Sequence, residues 1–299
     1  MAVEGAEAMW VRFFAFLVLT IVLGFAALVA YVRFELRPRP AALDSAATGL
    51  PVEAVTIPSE SGARIAGWFL QGSGNGAVLL LHGIFSNRLV QAERMRMLRD
   101  AGYSTLAIDF QAHGESAGGL ITLGERESLD ARSALAWLRS RLPGGRVAVL
   151  GISMGGAAAL IGQPIDADAL IIESAPSDLG LAISNRLALA FGPAGRAFTP
   201  IVLAALRIGA GLNAKRLRPV DGLPSLRIPV FVMTGAEDKK TTVEESRAMF
   251  EKANSPKSYW EVPGAWHVDL AFAGGAAYRE RLLAFLDASL RRCDRDNLQ

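Results

Sequence analysis

Cysteine is almost absent: Cys293 is the only one in 299 residues. No internal disulfide can form, and no thiolate cluster can hold a metal. Histidine is nearly as scarce, with His82, His113 and His267 the full set. Any chemistry that needs an imidazole base must draw on these three. No basic run interleaved with aromatics occurs, and 31 Lys and Arg against 29 Asp and Glu leave a formal net charge of +2. Nucleic acid is therefore not an expected partner. Neither a P-loop nor clustered metal-ligand spacing is present, so no metal and no cofactor are expected. Internal repeats and low-complexity blocks are also lacking, and nothing points to a specific protein partner.

Apolar residues, by contrast, are abundant, at 51% of the chain. Length and composition together suit one α/β domain with an appendage. The appendage is Phe13 to Val32, an uncharged stretch bracketed by Trp10 and Tyr31. A bilayer core takes about 20 residues of helix, and aromatic residues favour its interfaces. A cleaved signal peptide is the competing reading. Its apolar region is usually about 7–15 residues and follows a positive start, whereas Glu4 and Glu7 here outnumber Arg12. A retained transmembrane helix at 13–32 is expected, after a tail at 1–12. Arg33, Arg37 and Arg39 follow the span against Arg12 before it. That small bias tips the C-terminal domain towards the cytoplasm under the positive-inside rule. Residues 33–50, with prolines and small polar residues, read as a semi-rigid spacer off the membrane.

From about residue 51 strands and helices alternate. Val52–Ile57 and Ile65–Leu70 predict a hairpin, and Ala77–Leu81 a buried strand. A helix from about Leu89 stops at Gly102 and leads to a strand at Ser104–Ile108. Helix Glu125–Leu142, strand Ala169–Ile172, strand Val230–Thr234, helix Val243–Ala253, strand Tyr259–Val262 and helix Tyr278–Leu290 follow the same rhythm. Such alternation predicts a mostly parallel sheet with helices on both faces, and chemistry beyond the C-terminal strand ends.

At the centre stands Val147-Ala148-Val149-Leu150-Gly151-Ile152-Ser153-Met154-Gly155-Gly156, followed by an alanine-rich segment. Gly-x-Ser-x-Gly between an apolar strand and a small-residue helix is a nucleophile elbow, which projects the serine hydroxyl from the sheet's edge. Serine needs a base to take its proton, and that base is usually a histidine oriented by a carboxylate. His267 follows one late strand and Asp238 the strand before it, so both fall on the edge that carries Ser153. The chain order Ser153, Asp238, His267 is the one an α/β-hydrolase triad uses. Glu237 and Asp178 are alternative acids; Asp269 stands too near His267 in sequence and is read as capping or solvating the loop. Oxyanion donors should be the backbone amides of Met154 and of Ile84, in the loop after Ala77–Leu81, with Phe85 the alternative to Ile84. His82 reads as a loop-shaping residue.

The span from about Val52 to Arg292 resembles the α/β-hydrolase superfamily, and within it the serine aminopeptidase-like hydrolases, which include lipase-like and membrane-anchored members. The motifs that carry this are His82-Gly83…Asn87-Arg88, Asp109 to Ser116, Thr122-Leu123-Gly124, Gly151 to Gly155, Gly235 to Asp238, and His267. Where the family pattern usually has Arg-Gly, this chain has Gln111-Ala112. The resemblance implies a structural role for His113. The resemblance implies an α/β-hydrolase fold: an eight-stranded sheet with one antiparallel strand, no cofactor, and a small cap inserted after the sixth strand. Domain 51–292 then carries its cap at 179–226, ahead of a tail at 293–299. Phe85 and Trp266 are candidate substrate-binding walls. The expected function is a membrane-anchored serine hydrolase acting on hydrophobic, lipid-like esters or thioesters through an acyl-enzyme on Ser153. An amidase or peptidase, and a catalytically silent binding module, are the alternatives.

Overall fold

The computed structural model describes residues 2–74, 76–268 and 270–290. The tail 293–299 with Cys293, and Asp269, lie outside the described residues. Eight strands form the main sheet: β1 (Glu53–Pro58), β2 (Arg64–Leu70), β3 (Gly76–Leu81), β4 (Ser104–Ile108), β5 (Arg146–Ile152), β6 (Ala169–Glu173), β7 (Val230–Gly235) and β8 (Lys257–Val262). Their order across the sheet is β8-β7-β6-β5-β3-β4-β2-β1. Only β2 runs against its neighbours β1 and β4. The central strands are apolar along their whole length because both faces are covered. In β5, Val147 and Val149 enter one core while Ala148 and Leu150 enter the other.

Helices α2 (Ala92–Asp100) and α8 (Leu270–Leu290) cover one face through Met95, Leu98, Leu282 and Leu286. On the other face α3 (Glu127–Arg141) packs through Ala131, Ala134, Leu135 and Leu138, α4 (Met154–Ile161) through Ala158 and Ala159, and α7 (Val243–Lys252) through Met249. Helix α8 begins eight residues before the expected start at Tyr278 and carries a non-helical kink at Gly275, with φ 49° and ψ −125°. The low helix propensity of the Gly274-Gly275 pair conceals this first segment.

After β6 the chain leaves the sheet as the cap: α5 (Leu179–Phe191), a 3₁₀ turn at Pro193–Phe198, α6 (Thr199–Ala210) and a second 3₁₀ stretch at Pro219–Ser225. It then returns as β7. The side chain of Asp178 caps α5 by accepting from the N–H of Leu181 at 3.0 Å.

Helix α1 runs from Ala2 to Glu35, and Met9–Glu35 is long and apolar enough to cross a membrane. Its last turns meet protein. Phe25, Leu28 and Val29 pack beside the core, with Val32 and Leu36 within it. Gly209 of α6 lies so close that an added Cβ would stand 2.9 Å from the Val29 carbonyl oxygen. Arg33 donates to the Gly209 carbonyl at 3.1 Å. The spacer is also tied down. Arg39–Pro40 pairs in parallel with His113–Gly114, and the N–H of Ile121 donates to Leu36. Residues 33–50 therefore lie along the domain rather than leading away from it, because the 110–121 loop offers them unpaired backbone groups.

A buried ionic group sits behind the loops of the sheet's C-terminal rim. The guanidinium of Arg88, 2% exposed, bonds Asp109 and Glu115 and stacks over Trp68 at 4.4 Å. Burial pushes the Asp109 carboxyl up, and the charge of Arg88 with the N–H groups of Arg88 and Glu115 offsets this only in part. Removing one member of a buried pair leaves its partner uncompensated, at a cost of about 3–5 kcal/mol. Arg88→Met is expected to lower unfolding free energy by about that amount in guanidinium titrations of detergent-solubilised protein. Glu53→Ala, which breaks the half-exposed pair with Arg141, is expected to cost only about 0–1 kcal/mol.

Candidate active site

Ser153 sits where β5 turns into α4, at φ 50° and ψ −113°. This is a left-handed conformation that a residue with a β-carbon adopts only under constraint. The constraint is crowding. A Cβ on Gly151 would meet the nitrogen of Gly156 at 2.4 Å, and one on Gly155 would meet the carbonyl oxygen of Leu81, the last residue of β3, at 2.5 Å. The spacing of glycines around the serine thus answers to backbone approaching backbone. The Ser153 N–H donates to the Glu173 carbonyl of β6 at 2.8 Å, which locks the turn against its neighbour strand.

The loop with His267 is laid directly over the end of β7. A Cβ on Gly235 would lie 2.4 Å from the Ala265 carbonyl oxygen. The N–H of Glu237 donates to that carbonyl, and the N–H of Ala236 to Val262. Asp238 and His267 are brought together this way. The Nδ1–H of His267 donates to Asp238 Oδ2 at 2.8 Å, and its Nε2 lies 3.1 Å from Ser153 Oγ. The other carboxylate oxygen of Asp238 accepts the N–H groups of Lys240 and Thr241 at 2.8 and 2.9 Å. Burial pushes the Asp238 carboxyl up. The hydrogen bond and charge of His267, with the two amides, outweigh it and hold the acid below its ordinary value. The alternative acids are elsewhere: Asp178 caps α5 and pairs with Arg218 at 2.6 Å, and Glu237 is exposed.

The two other histidines are committed to backbone. His82 Nε2 accepts the N–H of Phe110 at 3.1 Å, so its proton resides on Nδ1, which donates to the Gly83 carbonyl at 2.7 Å. His113 Nε2 accepts the N–H of Phe85 at 3.2 Å and its Nδ1–H donates to Gln111 at 3.0 Å. The Phe85 amide is therefore spent. No acceptor for the Ile84 N–H is found among the described residues, and the N–H of Met154 opens α4, where a helix leaves its first donors unpaired. Gln111, at the departure from the family pattern, donates to Glu127 Oε1 at 2.9 Å and to the Leu120 carbonyl at 2.6 Å.

A cavity of about 380 Å³ opens over Ser153 and His267. Its apolar wall comes from Ile84, Phe85, Val90, Ile152 and Val268, and its polar wall from Arg94, Arg186 and Lys240. Trp266, expected beside Phe85, is not among the lining residues. It is 54% exposed, with the Lys239 ammonium 5.7 Å from its ring, and Val268 occupies the wall instead. The sequence pattern missed Arg94, Arg186 and Lys240 as lining groups. The available signal was that Arg186 is the only charged residue of α5.

A family model described as an alpha/beta hydrolase family matches residues 78–280. The chain belongs to the alpha/beta hydrolase family. Among curated relatives, this hydrolase-fold chain is 26% identical over 255 residues to an uncharacterized protein of Mycobacterium tuberculosis, covering 83% of this chain and 84% of that one. It is 23% identical over 240 residues to the uncharacterized protein YqkD of Bacillus subtilis, covering 78% and 79%. Among solved structures it is similar to the esterase Pf2001 of Pyrococcus furiosus, with a TM-score of 0.71, 22% identity, and coverage of 86% of this chain and 99% of that one. The esterase EaEST of Exiguobacterium antarcticum superposes with a TM-score of 0.58 at 17% identity, over 79% of this chain and all of that one.

The neutral histidines behind the loop after β3 couple this region to pH. Burial, then the charge of His113, lower the His82 pKa from 6.5 to about 3. Its neutral form contributes stability fully above the unfolded value near 6.5, and loses it as pH falls towards 3. The slope from one such group approaches about 1.4 kcal/mol per pH unit. Denaturant midpoints at pH 7, 6, 5 and 4 should therefore fall progressively below about pH 6.5, and His82→Asn should flatten the slope although it starts from a lower stability.

Proposed function

We propose that the protein is a membrane-anchored serine hydrolase that cleaves carboxylic esters or thioesters of hydrophobic acyl groups through an acyl-enzyme on Ser153. The observation that carries this reading is the continuous hydrogen-bonded line Ser153–His267–Asp238, beside two backbone amides with no acceptor among the described residues. His267 Nε2 takes the proton of Ser153 as Oγ attacks the carbonyl carbon. Asp238 holds the imidazole by Nδ1 and stabilises its charged form. The amides of Ile84 and Met154 receive the negative charge on the carbonyl oxygen, where each donor is worth about 10²–10³ in rate. His267 returns the proton to the leaving group. Water, activated by the same imidazole, then attacks the acyl carbonyl and frees Ser153. The structural likeness to esterases argues for ester leaving groups over amides.

The membrane reading rests on α1. If Met9–Glu35 spans, Val29 stands about 9 Å of helix before Glu35 at 1.5 Å per residue. The face of α6 that packs on Val29 is then held at the bilayer interface. Ile201 and Ile208, 46% and 66% exposed, lie on the free side of α6, and Arg33 and Arg207 flank it as interfacial cations do. The cap beside the cavity is thus held where long-chain acyl esters reside. The three arginines after the span argue for the cytoplasmic side.

Two outcomes test this. A fluorophosphonate probe should label the wild type and spare Ser153→Ala. Ester turnover should fall by about 10⁴–10⁶ in Ser153→Ala and His267→Ala, and by about 10⁴ in Asp238→Asn. A well-folded protein that takes no label would instead support the binding module. Second, long acyl esters presented in vesicles should be preferred over short ones. Gly209→Leu, which pushes α6 off Val29, should reduce turnover of the vesicle-borne ester more than of a soluble one.

A further inference from the structure

The cavity over Ser153 has a wall that ester hydrolysis by itself does not require. Arg94, Arg186 and Lys240 all line it, and among the described residues no carboxylate does. Arg94 is neutralised where it stands. It donates to Glu173 Oε2 at 2.6 Å and to the Tyr278 hydroxyl at 2.8 Å. Arg186 is different. Among the described residues its guanidinium makes one hydrogen bond, to the Ala182 carbonyl of its own helix at 2.8 Å, although the group carries five N–H donors.

The carboxylates nearest to Arg186 are already engaged. Asp238 accepts from His267, Lys240 and Thr241. Glu245 accepts the N–H and hydroxyl of Ser177 at 2.7 and 2.8 Å. Neither forms an ion pair with Arg186 among the described residues. Burial pulls the Arg186 guanidinium below its ordinary value, and the charges of Asp238 and Glu245 offset this only in part. The position is nonetheless fixed. The neighbouring Asn185, 4% exposed, donates to the Lys240 carbonyl and to Glu245, which clamps this turn of α5 to the acid loop. A half-buried guanidinium held against the reaction cavity with most donors unused is arranged for an anion that the protein does not supply.

We propose that Arg186, with Lys240 exposed on the same wall, forms a subsite for an anionic group of the substrate, a phosphate or a carboxylate, so that negatively charged esters are preferred. The inference rests on the ester-hydrolase reading and narrows its substrate class. The charge can sit on either side of the scissile bond, on the acyl group or on the alcohol.

Full-length detergent-solubilised protein is assayed on two matched pairs. Nitrophenyl hemiglutarate against nitrophenyl butyrate places the charge on the acyl side; a monoacylglycerol phosphate against the uncharged monoacylglycerol places it on the alcohol. In at least one pair the wild type should favour the anion in kcat/KM by about 10- to 100-fold, the range a charge-assisted hydrogen bond allows. Arg186→Met should abolish that ratio, mainly through KM, and Arg186→Lys should keep part of it. Butylphosphonate binding by calorimetry, with butanol as the neutral control, reads the subsite without turnover. Tight phosphonate binding lost in Arg186→Met supports the subsite even if neither ester is cleaved, a result that would sink the hydrolase reading alone. A wild type with no anion preference and no phosphonate binding overturns the proposal. So does a preference ratio unchanged in Arg186→Met.

Discussion

Backbone meeting backbone without room for a β-carbon is the constraint from which the rim of this sheet is built. Three glycines mark it: Gly151 against α4, Gly155 against the end of β3, and Gly235 beneath the His267 loop, each with a virtual Cβ within 2.5 Å of main-chain atoms. The first two force Ser153 into a positive φ and drive its hydroxyl out of the sheet. The third allows the His267 loop to settle on β7, so that two segments far apart in the chain share one short hydrogen-bond path. The strain at Ser153 persists because sheet pairing on both sides over-determines it. Alanine at 157, 158 and 159 continues the same logic, since bulky side chains in the middle of α4 would lift it off the strands.

The same residue type is put to opposite uses on that rim. His82 and His113 accept main-chain N–H groups through Nε2, which fixes their tautomer and removes the lone pair a base would need. Their rings stand 5.1 Å apart, and buried together they stay neutral. His267 has its Nδ1–H held by Asp238 and its Nε2 turned to Ser153. The three imidazoles are therefore told apart by their hydrogen-bond partners. His113 also takes the amide of Phe85, a residue at φ 60°, and leaves that of Ile84 with no acceptor among the described residues.

Much of this was legible in the residue pattern. The alternation of elements, the elbow and the order Ser153, Asp238, His267 all follow from short-range chemistry and the chain rules of parallel sheets. What escaped depended on contacts between segments distant in sequence. An apolar run such as Phe13–Val32 looks the same whether its last turns face lipid or α6. Pairing of Arg39–Pro40 with His113–Gly114 has no periodic signature, because each strand is two residues long. Trp266 and Val268 exchange places because Val268 turns at φ 66°, a dihedral that no composition rule anticipates. Arg186 had only its isolation in an apolar helix to betray it. Ala112, where the family pattern carries glycine, holds φ 60°, so the departure was visible but its backbone cost was not.

The fold and the nucleophile's surroundings are widely shared solutions, and they do not determine what is hydrolysed. That decision belongs to the parts grafted onto the rim: the cap between β6 and β7, and the helix that reaches it from the N-terminus. These two parts are physically one unit here, since α1 packs on α6 and α5 is clamped to the acid loop through Asn185. An apolar outer face on the cap and a cavity wall to which the cap contributes Arg186 impose opposite demands. A neutral acyl ester satisfies the first and leaves Arg186 unmatched; a small soluble anion satisfies the second and gains nothing from Ile201 and Ile208. A molecule that is apolar along most of its length and charged near its ester meets both, and that is the substrate the two proposals together describe.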